Sequence, residues 1–196
     1  IVDLKDVTPS PLALEFAREH HKDPRHVEVV LRESRRIVRM DRGVLIAETR
    51  HGFVCANAGV DASNVPGEER VSLLPRDPDG SARRLRDEMV ARLGFPVAVV
   101  ISDTFGRPWR EGATNVAIGI AGINPLKDYR GEIDPYGYPL RTSVVAIADE
   151  IASAAELVTG KVDRVPVSIV RGLPHLPDEE ATAKRLLRDS SMDLFR

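Results

Sequence analysis

Ile37-Val38-Arg39-Met40-Asp41-Arg42-Gly43-Val44-Leu45-Ile46-Ala47-Glu48-Thr49-Arg50-His51-Gly52-Phe53-Val54-Cys55-Ala56-Asn57-Ala58 is the stretch whose reading decides the fold. It holds three short apolar runs, Ile37 to Met40, Val44 to Thr49 and Phe53 to Ala58, separated by turns at Asp41-Arg42-Gly43 and His51-Gly52. Glycine turns this short join antiparallel neighbours, so the segment reads as a β-meander. Upstream, Ser10-Pro11 followed by Leu12, Phe16 and Ala17 is a capped helix that stops at Asp23-Pro24. Asp23-Pro24 opens a second helix with Val27, Val30, Leu31 and Ser34 on one face. Its basic tail, Arg32, Arg35, Arg36 and Arg39, is interleaved with Glu28 and Glu33 and reads as a solvated face rather than a nucleic-acid stripe.

Downstream, the meander gives way to a polar loop and an apolar strand over Val71-Ser72-Leu73-Leu74. Asp77-Pro78 then begins a helix with Leu85, Met89, Val90 and Leu93 in period and Gly94 as its stop. Val97 to Ser102 is a continuous β-branched run, expected as a strand covered on both faces and ending at Asp103-Thr104. Thr114 to Ile120 predicts another strand and Pro125 to Leu140 a long loop. Over Thr142 to Val158 a stripe of Val144, Val145, Ala148, Ile151, Ala152, Ala155 and Val158 predicts an amphipathic helix closed by Gly160. Val165 to Val170 reads as a final strand, and the chain from Pro174 onward is charged, with one weak helical stretch around Leu186 and Leu187. The sum is an α+β or mixed α/β fold, an antiparallel meander plus a mixed sheet with packed helices.

Composition narrows the function classes. Among 196 residues, 28 Lys plus Arg stand against 30 Asp plus Glu, a formal net charge of -2 that argues against a polyanion-binding surface. With 42% hydrophobic residues the chain can fold, burying roughly 70% of its extended surface as one large domain or two small ones. Its apolar runs fall short of the roughly 20 residues of a membrane span, and its first residues lack a signal-peptide layout, so a cytoplasmic protein without a membrane partner is expected. Cys55, the single cysteine, sits in an apolar stretch and reads as a buried, inert thiol. The chain opens on Ile1, as expected of a processed chain or a piece of a longer one.

Several chemistries find no support. Gly160-Lys161 is not a P-loop, because Ala155 replaces the first glycine and Val162 the Ser or Thr. Gly119-Ile120-Ala121-Gly122 is not a dinucleotide fingerprint, a Gly-x-Ser-x-Gly elbow is missing, and the five histidines lack zinc spacing. His20, His21 and His26 are expected to be solvated, and His51 to be a turn residue. Metal-assisted phosphoryl transfer survives. Asp103 with Thr104, placed at a strand's carboxyl end, suits Mg²⁺ or Mn²⁺ bound with phosphate oxygens and water; a turn cap is the other reading. Asp61 and Asn64 invite the same two readings, and the aspartates strengthen each other because a metal gripping two phosphates draws carboxylates from separate segments. Arg107, Arg110, Lys127 and Arg130, flanking Trp109 and Tyr129, can hold an anionic substrate or simply make surface ion pairs.

Five segments in order carry a resemblance: Cys55 to Asn64, Ser102 to Arg110, Asp128-Tyr129-Arg130-Gly131, Ala148-Asp149-Glu150 with Ala152 to Leu157, and Val170-Arg171-Gly172. Together they resemble the coenzyme F420:L-glutamate ligase family across residues 1–173, with 174–196 left as a charged tail or linker. The resemblance implies a GTP-dependent amide ligase adding L-glutamate to the lactate carboxylate of coenzyme F420-0. It implies two divalent ions, Mn²⁺ or Mg²⁺, together with K⁺, and an intertwined homodimer. Asp61 and Asp103 are then metal ligands, Thr104 touches a second metal and Asn64 contacts the nucleotide. Thr159, Gly160, Lys161, Val162, Asp163, Arg164 and Val165 line the GTP, with Lys161 standing where a metal-holding glutamine is expected.

On the reading of the residues themselves, Arg107 and Arg110 are assigned to catalysis, and Trp109, Lys127, Tyr129 and Arg130 to the anionic substrate. A carboxylate is a poor acyl donor, so such an enzyme phosphorylates it before the glutamate amine attacks; positioning and charge neutralisation matter more than a nucleophile. Family members begin with a further few dozen residues bearing nucleotide-contacting loops. Asp193-Leu194-Phe195-Arg196 resembles the junction in two-domain members that continue into a flavin domain. The competing readings are a catalytically silent coenzyme-binding or dimerisation module and a metal-dependent phosphohydrolase.

Overall fold

The Ser10 hydroxyl accepts the Ala13 N–H at 3.3 Å and so caps the first helix, as its position before Pro11 predicts. In the computed structural model, which describes residues 1–174 and 176–194, the chain divides into two compact units, Ile1–Arg76 and Asp77–Arg196.

In the first unit, β1 (Val2–Asp3) leads to α1 (Pro11–His20) and α2 (Pro24–Glu33). The Asp23 carboxylate caps α2 by accepting the Arg25 N–H at 2.8 Å. β2 (Ser34–Asp41) follows without a break, and β3 (Val44–Thr49) and β4 (Val54–Ala56) complete an antiparallel sheet in the order β2-β3-β4. At the first hairpin Asp41 faces Val44, which leaves Arg42 and Gly43 in the turn with φ of 49° and 73°, both positive as a tight, twist-matched turn requires. β5 (Arg70–Val71) pairs with β1. Leu4, Val29, Val30, Leu45, Ala47, Val60 and Val71 form the core, with Ala13, Phe16, Ala17 and Val27 as a second cluster beside it. Cys55 is buried.

Some boundaries differ from expectation. β4 is shorter than Phe53 to Ala58, because Asn57, Ala58 and Gly59 take left-handed backbone, with φ of 51°, 51° and 72°, and leave the strand. Arg35, Arg36 and Arg39 stand on β2, not on a helix tail. They are ion-paired all the same, Arg35 and Arg36 with Glu48 and Arg39 with Asp41, while Arg32 holds Glu28 along α2.

The second unit starts with α3 (Pro78–Leu93), capped by the Asp77 carboxylate on the Gly80 N–H at 2.9 Å and closed by Gly94 at φ 75°. β6 (Val99–Arg107) and β7 (Arg110–Ala121) form one long antiparallel hairpin. β8 (Lys127–Asp128) pairs with β9 (Val144–Val145), and α4 (Ile147–Thr159) follows. α3 and α4 pack on the hairpin. Ala117, Ile120, Ile123, Ala148, Ala181 and Ala183 make its core.

Here the departures are larger. All strand pairs among the described residues are antiparallel, so the mixed sheet is replaced by four small antiparallel sheets. β6 does not stop at Asp103-Thr104 but runs on to Arg107, since β7 supplies hydrogen-bonding partners to the end. Val144 and Val145 pair as strand instead of opening α4, and Val158 is exposed rather than on the packed stripe. Val165 to Val170 is not a strand; with Val167 and Ile169 exposed and no sheet neighbour among the described residues, its β-propensity has nothing to act on. The segment read as a charged tail supplies Ala181 and Ala183 to the core and a 3₁₀ turn at Ala183–Leu186. The junction expected at residues 193–196 lies partly outside the described residues.

Candidate functional site

The loop after β4 belongs to the first unit. Gly59 is required there twice over: its φ is +72°, and a Cβ would meet Leu74 Cγ at 2.6 Å. This tight packing delivers Asp61, whose backbone is bridged to Ser72 through N–H to carbonyl bonds of 3.2 and 2.8 Å. Its carboxylate accepts the Ser63 N–H at 2.8 Å and the Ser63 hydroxyl at 2.7 Å, an Asx turn that orients both oxygens. Asn64 follows in left-handed backbone with φ 56°. His26 on α2 lies beneath this loop, hydrogen-bonded to the Val60 backbone, and burial holds its pKa below the ordinary value, so the expected solvated histidine is in fact half-buried. It also lines a cavity of about 180 Å³ with Lys22, Asp23 and Asn57. His51 is the expected turn residue, stacked on Phe53.

The second unit contains Asp103 and Thr104, side by side on β6 with Val116 and Asn115 as their cross-strand partners. The Thr104 hydroxyl donates to Asn115 Oδ1 at 2.7 Å, and Asn115 Nδ2 donates to Glu156 Oε2 on α4 at 2.7 Å. Thr104 therefore faces the α4 side. Neighbouring strand residues point to opposite faces, so Asp103 presents its carboxylate on the other side of the hairpin. A single ion clasped by both side chains is not what this hairpin offers; one ion on each face is compatible with it. Further along α4, the Ser153 hydroxyl donates to the Asn115 carbonyl at 2.9 Å, and Asp149 accepts the Ala117 N–H at 2.8 Å. Burial raises the Asp149 pKa above the usual aspartate value, against the lowering effect of that bond.

Arg107 and Arg110 face each other in register around the two-residue turn Pro108-Trp109, where Trp109 adopts φ 56° and is 79% exposed. This turn is the tip of the β6–β7 hairpin, with Arg107 donating to the Glu111 carbonyl at 3.2 Å. Lys127 stands 4.3 Å from the centre of the Tyr129 ring, a cation–π contact. Arg130 turns its fork onto Asp128, at 2.9 and 2.6 Å, and holds that carboxyl down to about 2. Of the four basic groups, Arg130 already has a carboxylate in its fork.

Thr159 ends α4, and the segment Gly160 to Val165 continues from it in exposed, irregular backbone. The Gly160 N–H caps the helix on the Glu156 carbonyl at 3.2 Å, and a side chain at Gly160 would collide with the Asp163 carboxylate. Lys161, Val162, Asp163 and Arg164 are exposed, Arg164 with φ 58°. A helix C-terminus carries partial negative charge, which suits a cation or the N–H groups of a base better than phosphate.

Among the described residues, no group of three or more His, Cys, Asp or Glu gathers as a metal centre. The donors on offer are isolated carboxylates and a hydroxyl, all hard oxygens. Hard oxygens are the donor type that Mg²⁺ or Mn²⁺ takes. Asp61 and Asn64 sit in one unit, and the remaining candidates in the other. Asn115, Asp149, Ser153 and Glu156 escape a reading based on apolar stripes. Asp149, Ser153 and Glu156, spaced i, i+4, i+7, form a second, polar stripe beside the Ala148 and Ala152 stripe, and that spacing is the signal that could have found them.

Residues 1–172 match the family described as F420-0:Gamma-glutamyl ligase. The Coenzyme F420:L-glutamate ligase of Methanothermobacter thermautotrophicus is 49% identical, over 100% of this chain and 78% of its own length. The proteins of the same name from Methanopyrus kandleri and Methanocaldococcus jannaschii are 48% and 44% identical, over 100% of this chain and 79% and 78% of theirs. With its quoted motifs falling inside the matched span and its full length aligned to these relatives, the chain belongs to the F420-0:gamma-glutamyl ligase family.

Proposed function

We propose that this chain is a GTP-dependent ligase that joins L-glutamate to the lactate carboxylate of coenzyme F420-0, releasing GDP and phosphate. Full-length similarity to relatives named Coenzyme F420:L-glutamate ligase is the observation that carries the reading. The hard-oxygen side chains and the arginine pair at the β6–β7 tip agree with it.

In this reading an oxygen of the lactate carboxylate attacks the γ-phosphorus of GTP, the bond to the β-phosphate oxygen breaks, and GDP leaves. The glutamate amine then attacks the acyl carbon, phosphate departs, and the amine gives up a proton as the amide forms. Asp61 and Asp103 each offer a carboxylate to a divalent ion, Mn²⁺ or Mg²⁺, which neutralises phosphate charge when bound. Thr104 offers its hydroxyl oxygen to a second ion, and K⁺ is a further expected companion. Arg107 and Arg110 stabilise negative charge on the transferring phosphoryl group, while Trp109, Lys127 and Tyr129 hold the coenzyme. Asn64 and the segment Thr159 to Val165 contact the nucleotide, where the α4 C-terminus favours base N–H groups over phosphate.

A homodimer is part of the proposal. Val165, Val167 and Ile169 alternate along an exposed stretch without a strand partner among the described residues, and a second copy could supply one. No helix among the described residues is long and apolar enough to cross a membrane, and a cytoplasmic setting suits GTP as co-substrate.

The test mixes the chain with GTP, Mn²⁺, L-glutamate and coenzyme F420-0. GDP release that requires both glutamate and coenzyme is expected, with the product gaining one glutamate mass. Phosphate release without glutamate would instead mark a phosphohydrolase, and coenzyme binding without turnover a silent module.

A further inference from the structure

Three side chains in the second unit form a chain of hydrogen bonds whose direction follows from what each group can do. Glu156, as a carboxylate, only accepts. Asn115 must therefore turn its Nδ2 toward Glu156 Oε2, at 2.7 Å, which leaves Oδ1 directed at Thr104. An amide oxygen only accepts, so the Thr104 hydroxyl must spend its one proton on Asn115 Oδ1, at 2.7 Å. Asn115 is buried and Thr104 is exposed, so the ordered end of the chain is inside and the open end faces outward. Glu156 is itself held, since Oε2 also accepts the Thr159 hydroxyl at 3.4 Å, and the Ser153 hydroxyl pins the Asn115 carbonyl at 2.9 Å.

We propose that Glu156 and Asn115 are positioning residues that lock the Thr104 hydroxyl proton inward, so that the Thr104 oxygen faces outward as an obligatory acceptor, poised for a hard cation. An unlocked threonine can aim either its proton or its lone pairs at an ion, and the wrong choice repels it. The inference rests on the reading above that Thr104 meets a cation, and it adds two residues that act through Thr104 without touching the ion. Their removal weakens cation binding by about 10-fold, the scale on which partners of metal ligands act.

The experiment measures Mn²⁺ affinity on the whole chain, with GTP present and glutamate omitted, by the loss of the free-ion electron paramagnetic resonance signal. Glu156→Gln, which lets the Asn115 amide take either orientation, should weaken Mn²⁺ binding by about 10-fold with little change in melting temperature. Thr104→Val should weaken it at least as much. In the Thr104→Val background Glu156→Gln should do nothing more, because the two changes remove one interaction. Asn115→Leu, which abolishes the link outright, should match Glu156→Gln in affinity even if it lowers the melting temperature. If Thr104→Val weakens Mn²⁺ and Glu156→Gln does not, the relay is overturned while the cation reading of Thr104 stands. If neither variant moves Mn²⁺ affinity, both fall. Additive losses in the double variant would make Glu156 an independent contributor and also overturn the relay.

Discussion

Asp79 Oδ1 accepts the backbone N–H of Ala183 at 2.9 Å, joining the first turn of α3 to a residue 104 positions further along the chain. The same oxygen accepts the Ile120 N–H at 2.9 Å, so one buried carboxylate ties α3, β7 and the C-terminal segment. Asp79→Ala leaves two buried N–H groups without an acceptor and should cost about 3 kcal/mol in a denaturant titration. Asp79→Asn retains an acceptor oxygen and should lose less. Limited proteolysis should show the Ala variant cut first between residues 174 and 190; equal protection in both proteins would sink the claim.

Gly59 cannot take a side chain without displacing Leu74. Gly59→Ala should destabilise the chain by about 2 kcal/mol, from overpacking plus a left-handed alanine. Shortening the neighbour separates the two causes: in a Leu74→Ala background the added cost should fall to about 1 kcal/mol, the backbone share alone. An unchanged cost in that background would leave the steric account without support.

Asp149 carries a pH signature. Because burial raises its folded pKa above the ordinary 3.8, the folded state holds a proton that the unfolded chain has released, in a window opening at 3.8 and extending upward. Stability falls as pH rises through that window, and the penalty persists at neutral pH. Asp149→Asn keeps an oxygen for the Ala117 N–H and has no charge to desolvate. Its melting temperature should equal or exceed the parent's at about pH 7.5, and the advantage should vanish near pH 4. An advantage that grows on acidification would reverse the sign and refute the assignment.

Asp103→Asn is nearly isosteric on a paired strand, so circular dichroism and melting should be unchanged. Glutamate-dependent GDP release should drop by at least about 100-fold, because the proposed role of Asp103 is to offer a charged carboxylate to a divalent ion and the amide lacks that charge. Parent-level turnover would remove Asp103 from the chemistry.

Trp109 holds a strained backbone at a hairpin tip. Trp109→Gly relieves a left-handed conformation of about 1 kcal/mol, so stability should hold or rise. If the indole meets the coenzyme, KM for it should rise about 10-fold with kcat little altered. An unchanged KM would assign the ring elsewhere.

Local signals proved the most legible. Asp77-Pro78 with Gly94 frames α3, and Gly43 fixes the first hairpin, because caps and turns are written in adjacent residues. What depends on distant partners was harder to read. The run before Asp103 looks like a strand covered on both faces that ends there, yet β7 extends it past Thr104. Val165 to Val170 is rich in β-branched residues, yet it has no strand neighbour among the described residues, and Pro166 lacks the N–H that a ladder needs. The candidate site divides the same way: carboxylates, arginines and Trp109 were evident by type, whereas the bond from Asn115 to Glu156 spans 41 positions and leaves no local trace. Arg130 illustrates the converse, a local pairing with Asp128 that a search for substrate-binding arginines overlooks.

Helix α4 wears its alanines and its polar residues on neighbouring stripes, Ala148 and Ala152 against the core and Ser153 and Glu156 toward Asn115. Such a helix behaves like a key in a lock. Slipping it by one residue turns it through about 100°, which pries the methyl groups out of their seats and swings the carboxylate off its amide in the same motion. Heat or mutation that loosens the alanine seam should therefore also break the ladder from Glu156 through Asn115 to Thr104, coupling the polar contacts to the packing of the helix.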